Sequence, residues 1–206
     1  SLESIEAKYR LALLLLKGGD GITIDYNRGV HYMKDAADGQ HSEAQNEYAM
    51  FLEYGLYGIS KNPAEAVNYY KISAEHGYDI AMFNYAELLE KGEIVDQNIN
   101  EAVGLYLSAA KNGYKPAICR YAELLLEGNG VISDPAEAKR LFLMLFYDEG
   151  YTSALIGLAK MYYYGIGCDV NQEEALKLYK MAADANNPRG LVQYGIMLQT
   201  GQGCPK

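Results

Sequence analysis

The sequence predicts an all-α fold, an α/α solenoid of antiparallel helix pairs with a 36–37 residue repeat, and three observations carry the prediction. Glycine recurs at Gly18, Gly55, Gly92, Gly128, Gly165 and Gly201, with successive spacings of 37, 37, 36, 37 and 36. A small residue stands six places before each of them, at Ala12, Ala49, Ala86, Ala122, Ala159 and Gly195. Asn62, Asn98, Asp134 and Asn171 each precede a glutamate by three residues, at Glu65, Glu101, Glu137 and Glu174. Self-similarity at a fixed period marks a repeat architecture, in which each unit buries its apolar face against its neighbours.

The first helix of each copy follows from its spacing. Five places before the first set of small residues stands a second, at Ala7, Ala44, Ala81, Ala117, Ala154 and Gly190. Between the two sets the position is always large, as Leu11, Tyr48, Tyr85, Tyr121, Leu158 and Tyr194. Leu15, Leu52, Leu89, Leu125, Tyr162 and Leu198 complete the face. Offsets of zero, four, five and eight residues lie on one side of a helix. Small residues there let two helices approach, and large ones fill the groove between them.

The second helix opens at the Asn or Asp. A cap side chain and a glutamate three residues later have the spacing of a capping box. Pro63 and Pro135 follow two of the caps, where a missing amide proton costs nothing. Apolar residues then recur at helical spacing, as in Leu141, Phe142, Leu145 and Phe146. Gly39, Gly77, Gly113, Gly150 and, in the fifth copy, Asn186 are expected to end these helices in the left-handed conformation. The first copy is looser, with Asp25 as cap and Arg28 and Gly29 in place of the glutamate and alanine. The reading is one continuous array over residues 1–206. Its repeats lie at about 6–42, 43–79, 80–115, 116–152 and 153–188, with a partial copy at 189–206.

Gly128-Asn129-Gly130-Val131 and Leu178-Tyr179-Lys180-Met181-Ala182-Ala183 are the clearest matches to a known pattern. With the period and the paired alanines, they resemble the Sel1-like repeat (SLR) family, a relative of the tetratricopeptide repeat. The resemblance covers nearly the whole chain, as five copies plus the first helix of a sixth. Copies one and two carry an extra residue between their glycines, and Ile94 replaces the second glycine of copy three. The resemblance implies a right-handed superhelical array that serves as a protein-interaction scaffold or adaptor.

Composition narrows the partners. Half of the residues are hydrophobic, five are proline, and no charge run or low-complexity linker interrupts the repeats, which excludes a disordered chain. A formal net charge of −9 disfavours nucleic acid, whose phosphates need clustered Lys and Arg. It favours a basic partner, or simply solvation. Cys168 and Cys204 hold the same turn position in consecutive copies, about 15–20 Å apart for helices packed near 10 Å, too far for a disulfide. With Cys119 they read as free thiols in a reducing compartment, so a cytoplasmic location is expected, or a lumenal or secreted one if a signal lies outside this segment. The Leu11–Leu16 run is too short to span a membrane. The chain opens within a helix and stops between two, and it is read as a segment of a longer protein. The apolar helix of its sixth copy is then open to end-to-end pairing with another copy.

Chemistry is not indicated. His31, His41 and His76 share no ligand spacing, and the sequence has neither a C-x-x-C nor an H-E-x-x-H pattern, so no metal site is expected. Gly128-Asn129-Gly130 follows a helix rather than a strand, and no G-K-[ST] comes after it; it is a turn, and no cofactor is expected. No nucleophile elbow is present, and the chain is not read as an enzyme. An enzyme-linked module, such as the secreted relatives credited with β-lactam binding, is a weaker alternative because their cysteine pairs are missing.

In tetratricopeptide-like arrays the first helices line the concave surface. Carried onto this chain, that geometry gives a partner-binding face. Its rows run through Tyr9, Asn46, Phe83 and Ile156, through Met50, Glu87, Glu123 and Lys160, and through Glu53, Glu90 and Tyr163, with Glu127 and Tyr164 beside the last. Tyr162, Tyr163 and Tyr164 cannot all face one side of a helix, so at least one should be exposed. The middle of this face is acidic with aromatic and aliphatic flanks, which suits a peptide or helix carrying basic and apolar groups. Two competing readings are a solvated face over the core and a structural spacer with no ligand of its own.

Overall fold

The computed structural model describes residues 4–19, 21–147 and 150–203. Among them are eleven α-helices, and the extended pairing is limited to one isolated bridge between Gly19 and Ile22. The chain divides into two compact units, residues 1–112 and 113–206. The first holds α1 (Ile5–Lys17), α2 (Tyr26–Asp38), α3 (Ser42–Tyr54), α4 (Pro63–Glu75), α5 (Asp79–Lys91) and α6 (Ile99–Lys111). The second holds α7 (Lys115–Glu127), α8 (Pro135–Tyr147), α9 (Ala154–Tyr164), α10 (Gln172–Asp184) and α11 (Pro188–Thr200). Within each unit consecutive helices pack in pairs, as the repeat predicts. The residues placed by periodicity at the helix contacts, from Ala12, Ala49 and Ala86 to Ala122 and Ala159, are fully buried.

The caps form, with one difference. Asn62, Asn98, Asp134 and Asn171 each accept from the amide of the glutamate three residues on, at 3.0–3.3 Å. The return arm does not reach the cap's own amide. Glu65 and Glu101 accept instead from the side-chain amides of Asn62 and Asn98, at 2.7 and 2.8 Å. The cap amides are already engaged: those of Asn62, Asn98, Asp134 and Asn171 donate to the carbonyls of Leu52, Leu89, Leu125 and Tyr162, at 2.8–3.0 Å. Asp25 donates to Leu15 in the same way, at 2.9 Å. Each loop is therefore fastened to the last turn of the helix before it.

The turn between the first two copies departs from expectation. Gly39 has φ −77°, and the left-handed residue is Gln40, at φ 70°. The α2 turn runs one residue further than glycine placement suggests. Gly39 is small for another reason, since an added Cβ would lie 3.0 Å from Ile5. The extra residue between Gly55 and Gly58 is taken up by a single 3-10 turn over Leu56–Gly58, with Tyr57 at φ 54°. Met33, Tyr70 and Tyr106 are the large residues buried at the centre of the first unit, and Phe142, Leu145, Leu155, Met161 and Met197 at that of the second.

Candidate functional site

The first helices of the copies, α1, α3, α5, α7, α9 and α11, carry every residue predicted for the partner-binding face. In the first unit Tyr9 lies half-buried against the His41 ring, 4.4 Å between centroids, and burial followed by Glu43 and Glu47 pushes its hydroxyl well above the usual range. Met50, Glu53 and Glu87 line a small cleft of about 80 Å³ with Tyr54, Asn84 and Lys91. Phe83 stands edge-on to Tyr106, 5.4 Å between centroids. Asn46 is only 1% exposed and cannot touch a partner. Its side-chain oxygen accepts from Asn84, one repeat away, at 2.8 Å, which satisfies a polar group that burial would otherwise penalise.

The glutamates of this unit are not equivalent. The buried Tyr70 hydroxyl donates to Glu53 at 2.7 Å, and the buried Tyr106 hydroxyl donates to Glu90 at 2.9 Å. Burial, and after it the acceptor carboxylate, drives the Tyr70 hydroxyl far above its ordinary range, so it stays a donor. One copy further on, the same two positions are Phe142 and Leu126. Where the hydroxyl is lost its acceptor is lost with it. Glu53 and Glu90 therefore act first as acceptors for the core, and Glu87 has no hydrogen-bond or ion-pair partner among the described residues.

In the second unit the predicted acidic face changes sign. Glu123 is 8% exposed. Its carboxylate accepts from Arg120 at 2.7 Å and lies 3.5 Å from Arg189. Arg120 also reaches Glu127 at 3.5 Å. Arg120, Glu123, Lys160, Arg189 and Val192 surround a groove of about 510 Å³ above Ile156, which is 2% exposed and forms its floor. A second groove of about 290 Å³ shares Glu123 and Lys160 and continues to Leu126, Glu127, Tyr164 and Ile166. Tyr163 turns inward, donating to Gln202 at 2.8 Å, while Tyr164 is 66% exposed. Residues 1–112 hold nine Lys and Arg against seventeen Asp and Glu, and residues 113–206 hold nine against ten. Most of the acidic excess belongs to the first unit.

Cys119 and Cys168 are free, and the pairing considered for Cys168 with Cys204 falls on a residue outside those described. Burial, with Glu123 next, pushes the Cys119 thiol up to about 12, which makes it a core residue rather than a nucleophile. No helix among the described residues is long and apolar enough to cross a membrane. Sequence reasoning passed over Arg120 and Arg189. The three-residue spacing of Arg120 to Glu123 was visible as a helical ion pair. Arg189 lies 66 residues from Glu123, and no local pattern joins them.

The described units are helix-pair arrays with a partly polar face on the first helices, which is the class of a helical-repeat protein. Six Sel1 repeats match along the chain, over residues 5–41, 42–78, 79–114, 115–145, 152–187 and 188–206. The chain belongs to the Sel1 repeat family. Among solved structures it is similar to a Sel1 repeat protein from Oxalobacter formigenes, at 27% identity over all of this chain and 80% of that one, with a TM-score of 0.88. It shares its fold with c5321, a protective antigen of uropathogenic Escherichia coli with an SLR fold, at 22% identity and a TM-score of 0.79. That match covers 98% of this chain, which spans 43% of the antigen's length. The immunity protein Pa5087 from Pseudomonas aeruginosa shares the fold at 19% identity, with a TM-score of 0.55 over 90% of this chain and 67% of that one. A comparison with curated proteins finds no match.

Proposed function

We propose that this chain is an interaction scaffold that holds a peptide or helix of a partner protein on the face formed by the first helices of its repeats. The observation that supports the reading best is the groove over α7, α9 and α11. It combines an apolar floor at Ile156, cationic walls and, one turn along, the exposed Tyr164 ring. Binding sites pair apolar area with a few placed polar groups in this way. The cleft between α3 and α5, with Glu87 beside Glu53, adds a place for a basic group. Its described cysteines, both free, suit a reducing compartment such as the cytoplasm.

The test is quantitative affinity capture with three baits: the parent chain, a first-helix variant (Glu87→Lys, Tyr164→Ala, Arg189→Glu) and a second-helix variant (Lys71→Glu, Lys177→Glu). All five positions lie on helices and are at least partly exposed. A scaffold loses its partner with the first variant and keeps it with the second. The same proteins on all three baits, or none on any, leave a spacer.

A further inference from the structure

We infer that the groove over α7, α9 and α11 takes an acidic segment of a partner polypeptide, with a carboxylate held by Lys160 and Arg189 and an apolar side chain placed against Tyr164 and Leu126. This rests on the scaffold reading and reverses, for this unit, the partner charge that the sequence alone suggests.

The charges of the groove leave room for a carboxylate beyond its own Glu123 and Glu127. Glu123 is buried, and its oxygens are engaged by Arg120 at 2.7 Å and by Arg189 at 3.5 Å. Arg120 is committed to Glu123 and Glu127. Arg189 makes one long contact and its side chain is 73% exposed, so most of its five N–H donors face the groove and solvent. Lys160 lines both grooves and forms no ion pair among the described residues. Arg120, Lys160 and Arg189 thus outnumber the two carboxylates beside them, Glu123 and Glu127, which leaves the groove with a small positive excess in a chain whose net charge is −9. Glu123 anchors Arg120 and leaves the donors of Arg189 largely unused, and a guanidinium with free donors suits a carboxylate bidentately.

The same surroundings select a peptide over a nucleic acid. A phosphodiester backbone needs a track of cations, and residues 113–206 carry no excess of them. Val192, Tyr164 and Ile166 instead offer apolar contact beside the charge. Lys160 and Tyr164 lie four residues apart on α9, a rise of about 6 Å, which an extended peptide covers in about two residues. The expected ligand pattern is therefore Asp or Glu two residues from a large apolar residue.

The experiment is selection of displayed random 12-residue peptides on the parent chain, followed by synthesis of the enriched sequences. Enrichment of an acidic residue two places from an apolar one is expected. Such a peptide should bind the Lys160→Glu/Arg189→Glu variant about tenfold more weakly, and the milder Lys160→Gln/Arg189→Gln variant should fall between them. Its binding should weaken as salt rises. Circular dichroism of each variant confirms that its helices remain. Enriched peptides that are neutral or basic and bind all variants alike overturn the inference and leave the scaffold standing. No enriched peptide at all overturns both. An oligothymidine that binds as tightly as the peptide, and is lost with the same variants, overturns the peptide assignment.

Discussion

Glu53, Glu87 and Glu90 sit within 38 residues of one another on two equivalent helices, and the structure gives them different work. Two accept from buried tyrosine hydroxyls and the third faces a cleft. Tyr70→Phe removes the donor from Glu53 and is expected to cost about 1.5–3 kcal/mol, the range for a hydrogen bond to a charged group. The Phe142 and Leu126 pair of the fourth copy shows what the position accepts when both polar groups go. Adding Glu53→Leu to Tyr70→Phe should therefore recover much of the loss, and a double-mutant cycle by urea unfolding measures the coupling. This pairing was legible in part, because tyrosine and glutamate are both absent in the first copy (Met33, Leu16) and the fourth (Phe142, Leu126), while the fifth keeps Tyr179 with Tyr163 in place of the glutamate. A charge stripe read along one helix does not show it, since the partner lies on the next helix. Asn46 was misread for a related reason: a polar residue at a contact position looks exposed until its partner Asn84, in the following copy, is seen.

At the scale of the helix, the period, the small-residue contacts and the caps placed the elements well, because each rests on short-range spacing. Asn98→Ala removes the acceptor for the Glu101 amide and the donor to its carboxylate, and should cost about 1 kcal/mol in thermal or urea unfolding. The contact of α8 with α9 depends on Gly157, where an added Cβ would overlap the tip of the Phe142 ring. Gly157→Ala should destabilise by about 1–3 kcal/mol through overpacking, and Phe142→Leu should relieve part of it. The left-handed turn after α2 was placed one residue early, at Gly39. A single sequence marks where glycine is needed but not whether the need is a positive φ or a near neighbour, and here it is Ile5.

At the scale of the molecule, the 20 tyrosines set a chemical limit on the fold. Burial pushes the Tyr179 hydroxyl up to about 12, and burial with the Asp38 carboxylate does the same for Tyr69. A hydroxyl with a raised folded pKa contributes stability that is whole below the unfolded value near 10 and is lost as the pH climbs toward the folded one. Alkaline titration followed at 295 nm should show a late phase near pH 12, from Tyr179 and Tyr69, that coincides with loss of helical dichroism. Ionisation of all tyrosines in one phase near 10, with the helices intact, would contradict this. The sign of the groove in residues 113–206 was not legible from the whole-chain charge, because most of the acidic excess lies in residues 1–112.

The fastening of each loop to the helix before it reaches into the time domain. The cap amides of Asn62, Asn98, Asp134 and Asn171 lie outside regular helix, where backbone protons ordinarily trade with solvent deuterium at once, yet each is held by a carbonyl of the preceding helix. Their protons should leave only when that helix end opens, so protection should persist across the connections. A deuterium-exchange map of this chain would then show protected residues in the very segments that usually read as gaps.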